Sequence, residues 1–132
     1  METKQISKSR LWAGRIMSIL VILFLVFDAT IKFLKPAAVV QTTVNELGYA
    51  EHHILLMGFL VLIPTLLYAI PQTSILGAVL LTGYFGGAIA THVRVDNPLF
   101  SHTLFPVYFG ILMWGGIWLR DERLRAIFPV KK

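Results

Sequence analysis

The 132-residue chain contains no cysteine, which removes disulfides, thiolate metal sites and Cys-x-x-Cys redox chemistry from what it can do alone. Electron transfer through it would need a bound cofactor or a partner. Charge is scarce as well. Asp, Glu, Lys and Arg make up 14% of the chain against 56% apolar residues, and the mean hydropathy is +0.72, which leaves too little polar surface for water-facing helices. Absent too are a P-loop, a dinucleotide fingerprint and a serine-hydrolase elbow, and the Glu-x-x-His signature of ferritin-like metal sites. No metal centre and no covalent or thiolate-bound cofactor is expected. A haem held by His53 with His92 or His102 would rest on helix-terminal histidines with no second pair.

What the sequence does have is long apolar runs. Four of them, over residues 11–34, 53–70, 75–93 and 103–119, are each roughly 17 to 24 residues, enough at about 1.5 Å per residue to cross a hydrocarbon core. The expected fold is all-α: a four-helix transmembrane bundle forming one integral membrane domain over 1–132. The net charge of +5 raises the question of nucleic acid, and its placement answers it. Lys4, Lys8, Arg10 and Arg15 precede or open the first run, and Arg120, Arg123, Arg125, Lys131 and Lys132 follow the last. Cations that flank membrane segments fix topology rather than bind phosphate stripes, so the partner is the lipid bilayer, not nucleic acid.

The positive-inside rule puts both termini in the cytoplasm, and four crossings agree with that N-in/C-in arrangement. The two connectors on the opposite side, 35–52 and 94–101, carry only Lys35 and Arg94 as strong cations. Trp12, Tyr68, Trp114 and Trp118 are expected at the cytoplasmic interface. A cleaved signal peptide fits poorly, because cutting after Ala29 would leave Phe27 and Asp28 just before the cut.

Pro36, Pro71, Pro98 and Pro129 fall at helix boundaries, whereas Pro64 lies inside the second helix and predicts a kink over 60–64. Val40, Val44 and Leu47 have helical spacing within 37–50, which suggests an interfacial segment or re-entrant cap between the first two helices. Gly83 and Gly87, with Gly86 and Gly77 on the same helix, have the small-xxx-small spacing of close helix contact. They predict tight packing of the third helix within the bundle, or else a homo-oligomer. Gly110, Gly115 and Gly116 offer a matching surface on the fourth helix.

Ionisable groups inside the membrane are costly and tend to mark function. Asp28 and Lys32 stand one turn apart, as a mutually neutralising ion pair or as part of a ligand or proton pocket. His92, Arg94, Asp96 and His102 gather near the outer ends of the third and fourth helices. Tyr84, Ala88 and His92 are spaced to share one face. With Asp28 and His52 or His53 these residues could form a polar cluster reachable from outside, His92 being the first choice for a proton-transferring or ligand-binding group. Arg94 serves equally well as a headgroup anchor.

The run Ile63–Arg94, which contains GGAIATH, and the run Asp96–Pro129 resemble the DoxX-like family of small bacterial four-helix membrane proteins. The segments DATIKF around Lys32 and NELGYA before the second helix are similar to its pattern. The resemblance draws attention to Gly86, Gly87, His92 and Arg94. It also implies a multi-pass protein of the bacterial inner membrane, since one relative is the small subunit of a membrane thiosulfate:quinone oxidoreductase and others associate with thiol-oxidation complexes. At most, then, the chain is an oxidoreductase-associated subunit.

Three functional readings follow. The chain is an accessory protein that binds a quinone-like or other lipophilic molecule in a polar pocket at the outer end. Alternatively it is a non-catalytic structural or assembly subunit that needs only its packing glycines. Or it is a small oligomeric transporter in which Pro64 and the glycines allow helix motion.

Overall fold

The computed structural model describes residues 7–131, so Lys4 and Lys132 among the flanking cations lie outside the described residues. Helix α1 (Lys8–Leu34) starts where the Ser7 hydroxyl accepts a hydrogen bond from the Arg10 backbone N–H at 3.2 Å. It stops at Lys35, which takes the left-handed conformation (φ 49°) just before Pro36. The short α2 (Ala37–Val40) and a wide helical turn over Gln41–Glu46 form the first connector. Then come α3 (His53–Ala69), α4 (Ser74–Arg94), α5 (Phe105–Arg120) and α6 (Glu122–Ile127), with tight or wide turns at Pro71–Thr73 and Leu99–Thr103. Among the described residues there is no strand.

The segments Lys8–Leu34, Pro71–Arg94 and Leu99–Arg120 are long and apolar enough to cross a membrane. The second apolar run forms a shorter segment than these three: α3 has 17 residues, about 26 Å of helix against a core about 30 Å thick. Leu23, Phe27, Ile63 and Ile111 are all more than half exposed on the outer faces of the bundle, which lipid rather than water can cover. These helices make the chain a multi-pass membrane protein.

Helix α1 packs on α5 and α3, and α4 packs on α3 and α5, so the order around the bundle is α1, α3, α4, α5. Val21, Leu25, Val61, Leu81, Phe85 and Met113 fill its centre. Within lipid such contacts hold helices together through dispersion and close fit, because burial from water is no longer the driving force.

The close backbone contacts are not where the small-xxx-small spacing on α4 predicted. At Gly83, Gly86 and Gly87 an added Cβ would meet nothing within 4 Å. The tight crossings use other glycines. A Cβ on Gly14 would lie 2.7 Å from the Gly116 carbonyl oxygen, and one on Gly115 would lie 2.7 Å from the Met17 methyl. This α1–α5 crossing places the start of α1 beside the end of α5, so both ends of the bundle sequence lie on one side, the terminal end. A Cβ on Gly77 would lie 2.6 Å from the Pro64 carbonyl oxygen and against the Tyr68 backbone. Helix α3 runs without interruption through Pro64, and the bare backbone of α4 fits into the turn that contains it.

The terminal end is stitched by polar side chains. Tyr68, expected at the membrane interface, is only 1% exposed. Its hydroxyl donates to the Met113 carbonyl at 2.7 Å and meets the Ser18 hydroxyl at 2.7 Å. Arg120 reaches the same Ser18 oxygen through Nη2 at 2.9 Å and the Gly116 carbonyl through Nε at 2.9 Å. Donor runs to acceptor from Arg120 through Ser18 and Tyr68 to Met113, which ties α1, α3 and α5 together with every member satisfied. Beyond α5, Asp121 caps α6 by accepting from the Arg123 backbone N–H at 2.9 Å. Burial works against the Asp121 charge, but the Arg123 hydrogen bonds and charge outweigh it and hold the carboxyl below the usual carboxylate range. Trp118 Nε1 donates to the Phe128 carbonyl at 2.9 Å, and the Trp114 ring stacks on Phe128 at 5.1 Å.

Candidate functional site

The far end of the bundle, opposite the termini, holds a partly open cavity of about 600 Å³. Two features of the sequence produce it. Helices α3 and α4 leave their shared turn in backbone contact at Gly77, whereas higher up α4 presents Gly83 and Gly87, which line the cavity without filling it. The first connector then folds over the top, so that Thr43, Leu47 and Tyr49 form a roof.

Four of the residues singled out in the sequence line this one space: Asp28 and Lys32 from α1, Tyr84 and His92 from α4. Lys32 Nζ lies 2.6 Å from Asp28 Oδ2, and the two side chains keep only 14% and 24% exposure. The pair is therefore both an ion pair and a cavity wall, and one contact leaves the second carboxylate oxygen and the other ammonium protons for a ligand. His92 Nδ1 lies 2.7 Å from the Asn97 side-chain nitrogen. With that amide donating, the ring carries its proton on Nε2. Among the described hydrogen bonds the Tyr84 hydroxyl has no protein partner, although its residue lines the cavity.

The other three candidates stand outside the lining. Arg94 donates from Nη2 to the Leu47 carbonyl at 2.6 Å, which fastens the roof to the end of α4. The His102 ring sits 5.9 Å from His92 and its Nδ1 is 2.8 Å from the Ser101 hydroxyl. Asp96 is exposed, in the left-handed conformation (φ 56°) at the turn after α4. Of the neighbouring histidines, both exposed, His53 lines the cavity and His52 does not; their rings meet edge to face at 4.2 Å. No three His, Asp or Glu side chains among the described residues gather as metal ligands would.

Three parts of the site escaped the sequence. Thr91 donates to the Gly87 carbonyl at 2.9 Å, so the hydrogen bond between Tyr49 and Thr91 has the Tyr49 hydroxyl as donor. That contact closes the roof onto α4. Thr43, the buried residue of the wide turn in the first connector, is the second. The third is an aromatic wall between α1 and α5, where Phe24 stacks on Phe109 at 4.3 Å and Phe105 meets the edges of both. Thr91 had a signal, since it continues the face of Tyr84 and Ala88 by one turn. Phe105 and Phe109 are one turn apart on α5, but Tyr49 and Phe24 had no signal, because their partners are distant in sequence.

A family model matches residues 16–116, that of the DoxX-like family. The chain belongs to the DoxX-like family. The matched span runs from inside α1 to the last turn of α5, so it contains every residue that lines the cavity of this DoxX-like protein, while Arg120 and α6 lie beyond it. No curated protein and no solved structure matches the chain.

Proposed function

We propose that this DoxX-like protein binds a lipophilic small molecule with a polar, quinone-like head in its far-end cavity. It does so as an accessory subunit of redox chemistry in the bacterial inner membrane, with both termini in the cytoplasm and the cavity beneath the outer surface. The observation that carries the reading is the convergence of Asp28, Lys32, Tyr84 and His92, from two helices, on one cavity whose other walls are mainly apolar. A few convergent polar groups in a largely apolar concavity are the usual form of a small-molecule site. Intramembrane ionisable groups at such a place point to function. Lys32 and a Tyr84 hydroxyl without a protein partner can donate to head oxygens, and a His92 with its proton on Nε2 can donate too. The partnered Asp28 carboxylate can accept from a reduced, hydroxyl-bearing form. The excess of cations at the terminal end supports the orientation.

The test is purification in mild detergent, an absorption spectrum, and mass spectrometry of small molecules that accompany the chain. A lipophilic compound at stoichiometric level is expected with the native chain and is expected to be lost from Asp28→Asn and His92→Ala. Retention of the compound by both variants would sink the assignment.

A second reading has its own observation. Gly83, Gly86 and Gly87 leave a strip of α4 with open space above it, on which a helix of a membrane oxidoreductase partner or of another copy could lie. Gly86 stands clear of the cavity lining. Under this reading Gly86→Leu abolishes assembly in crosslinking experiments on native membranes, whether or not a ligand is bound.

A further inference from the structure

The cavity has walls of unequal quality. Toward α1 and α5 the rings of Phe24, Phe105 and Phe109 line it and are partly exposed outside, but they touch one another across the two helices and close that side. Between α1 and α3 it is shut by contact of Phe33 and Lys32 with Gly58, where an added Cβ would lie 3.1 Å from the Phe33 ring. The side between α3 and α4 differs. Leu56 and Leu60 of α3 line the cavity yet are 54% and 51% exposed, and they continue the lipid-facing strip through Ile63. Across from them Gly83 and Gly87 line the cavity, are exposed, and follow Leu76 and Leu80 on one face of α4. Residues that belong at once to the lining and to the lipid-facing surface, with no side chain on Gly83 or Gly87 to close the gap, mark a place where the two spaces join.

We infer that the cavity opens sideways into the bilayer between α3 and α4, with Gly83 and Gly87 as its sill. The occupant is an amphiphile whose head lies inside and whose apolar chain passes out through this opening. The inference rests on the proposed ligand-binding reading and adds its route of entry and the shape of its ligand. A chain in the opening is as well solvated as a chain in lipid, so the opening contributes little attraction. Its effect is steric: it lets the head reach Asp28, Tyr84 and His92 without drawing the chain out of the membrane. Glycine at two successive turns serves this purpose because any side chain there would stand in the gap. The protein fold gives no competing reason for it, since a Cβ at either position meets nothing.

That last fact makes the test clean. The native chain, Gly83→Leu/Gly87→Leu, Gly86→Leu and Asp28→Asn are each placed in phosphatidylcholine nanodiscs. Equilibrium binding is measured for a decyl-substituted benzoquinone and for its methyl-substituted counterpart. The double glycine variant is expected to keep the native unfolding temperature and to bind the methyl compound normally, while the decyl compound weakens by about tenfold or more, equivalent to about 1.4 kcal/mol. Gly86→Leu is expected to bind both as the native chain does, and Asp28→Asn to lose both. Unchanged decyl binding by the double variant would overturn the lateral opening while leaving the site intact. Equal loss of both compounds would overturn it too, by showing that the leucines fill the cavity rather than the gap. Failure of the native chain to bind either compound would remove the ligand-binding reading and this inference with it.

Discussion

At the scale of single residues the question is what a carboxylate and an ammonium gain from sitting inside a membrane. Asp28 and Lys32 are one turn apart on α1, 2.6 Å between charged atoms, and each lowers the cost of the other in low dielectric. Removing one partner should therefore harm more than removing both. Lys32→Met is expected to destabilise the bundle by up to about 3 kcal/mol, and Asp28→Asn/Lys32→Met by clearly less. Lys35→Gln, at the exposed end of α1, should have no effect. Thermal unfolding followed by circular dichroism in detergent checks this, and a Lys32→Met protein as stable as the native one would mean the pair has no structural part. This pair was legible in the sequence because four residues of helix bring its members together. So was the shared face of Tyr84, Ala88 and His92. The bond between Tyr49 and Thr91, 42 residues apart, depends on how the first connector folds over α4, and no local spacing encodes that.

At the scale of elements, spacing names the glycines that can permit close contact but not the ones that do. Gly83 and Gly87 fit the small-xxx-small pattern, as do Gly14 and Ser18 on α1, and only the latter meet a neighbour. The difference lies in what stands opposite: Gly116 and the Arg120 side chain face Gly14, whereas open space faces Gly83. Helix order decides this, and order is a property of the whole bundle. Gly14→Leu and Gly77→Leu should therefore each lower stability by about 1–3 kcal/mol or more through forced separation of backbones. Gly86→Leu should leave the unfolding midpoint within error of the native one. Equal tolerance of leucine at all three positions in thermal unfolding would contradict the packing described for α1 with α5 and α3 with α4. The length of α3 was also partly hidden, because its apolar run continues through Ile70 although the helix ends at Ala69.

At the scale of the molecule the two ends of the bundle are built for different purposes. The terminal end is closed: glycine crossings, a satisfied chain from Arg120 through Ser18 and Tyr68, and a C-terminal segment folded onto Trp114 and Trp118. The far end is held apart, with a cavity under a roof fastened by Arg94 and Tyr49. A closed base with a cavity at the opposite end suits the proposed ligand binding at that end, and the orientation decides which compartment and leaflet it serves. Because the chain has no cysteine of its own, a single introduced thiol reports its side of the membrane without background. Gln41→Cys in the first connector and Ser101→Cys in the third should react with a membrane-impermeant maleimide on intact cells. Lys8→Cys and Arg123→Cys should react only after the cells are opened. The reverse pattern would place the cavity beneath the cytoplasmic surface, and its ligand would then have to come from the inner leaflet.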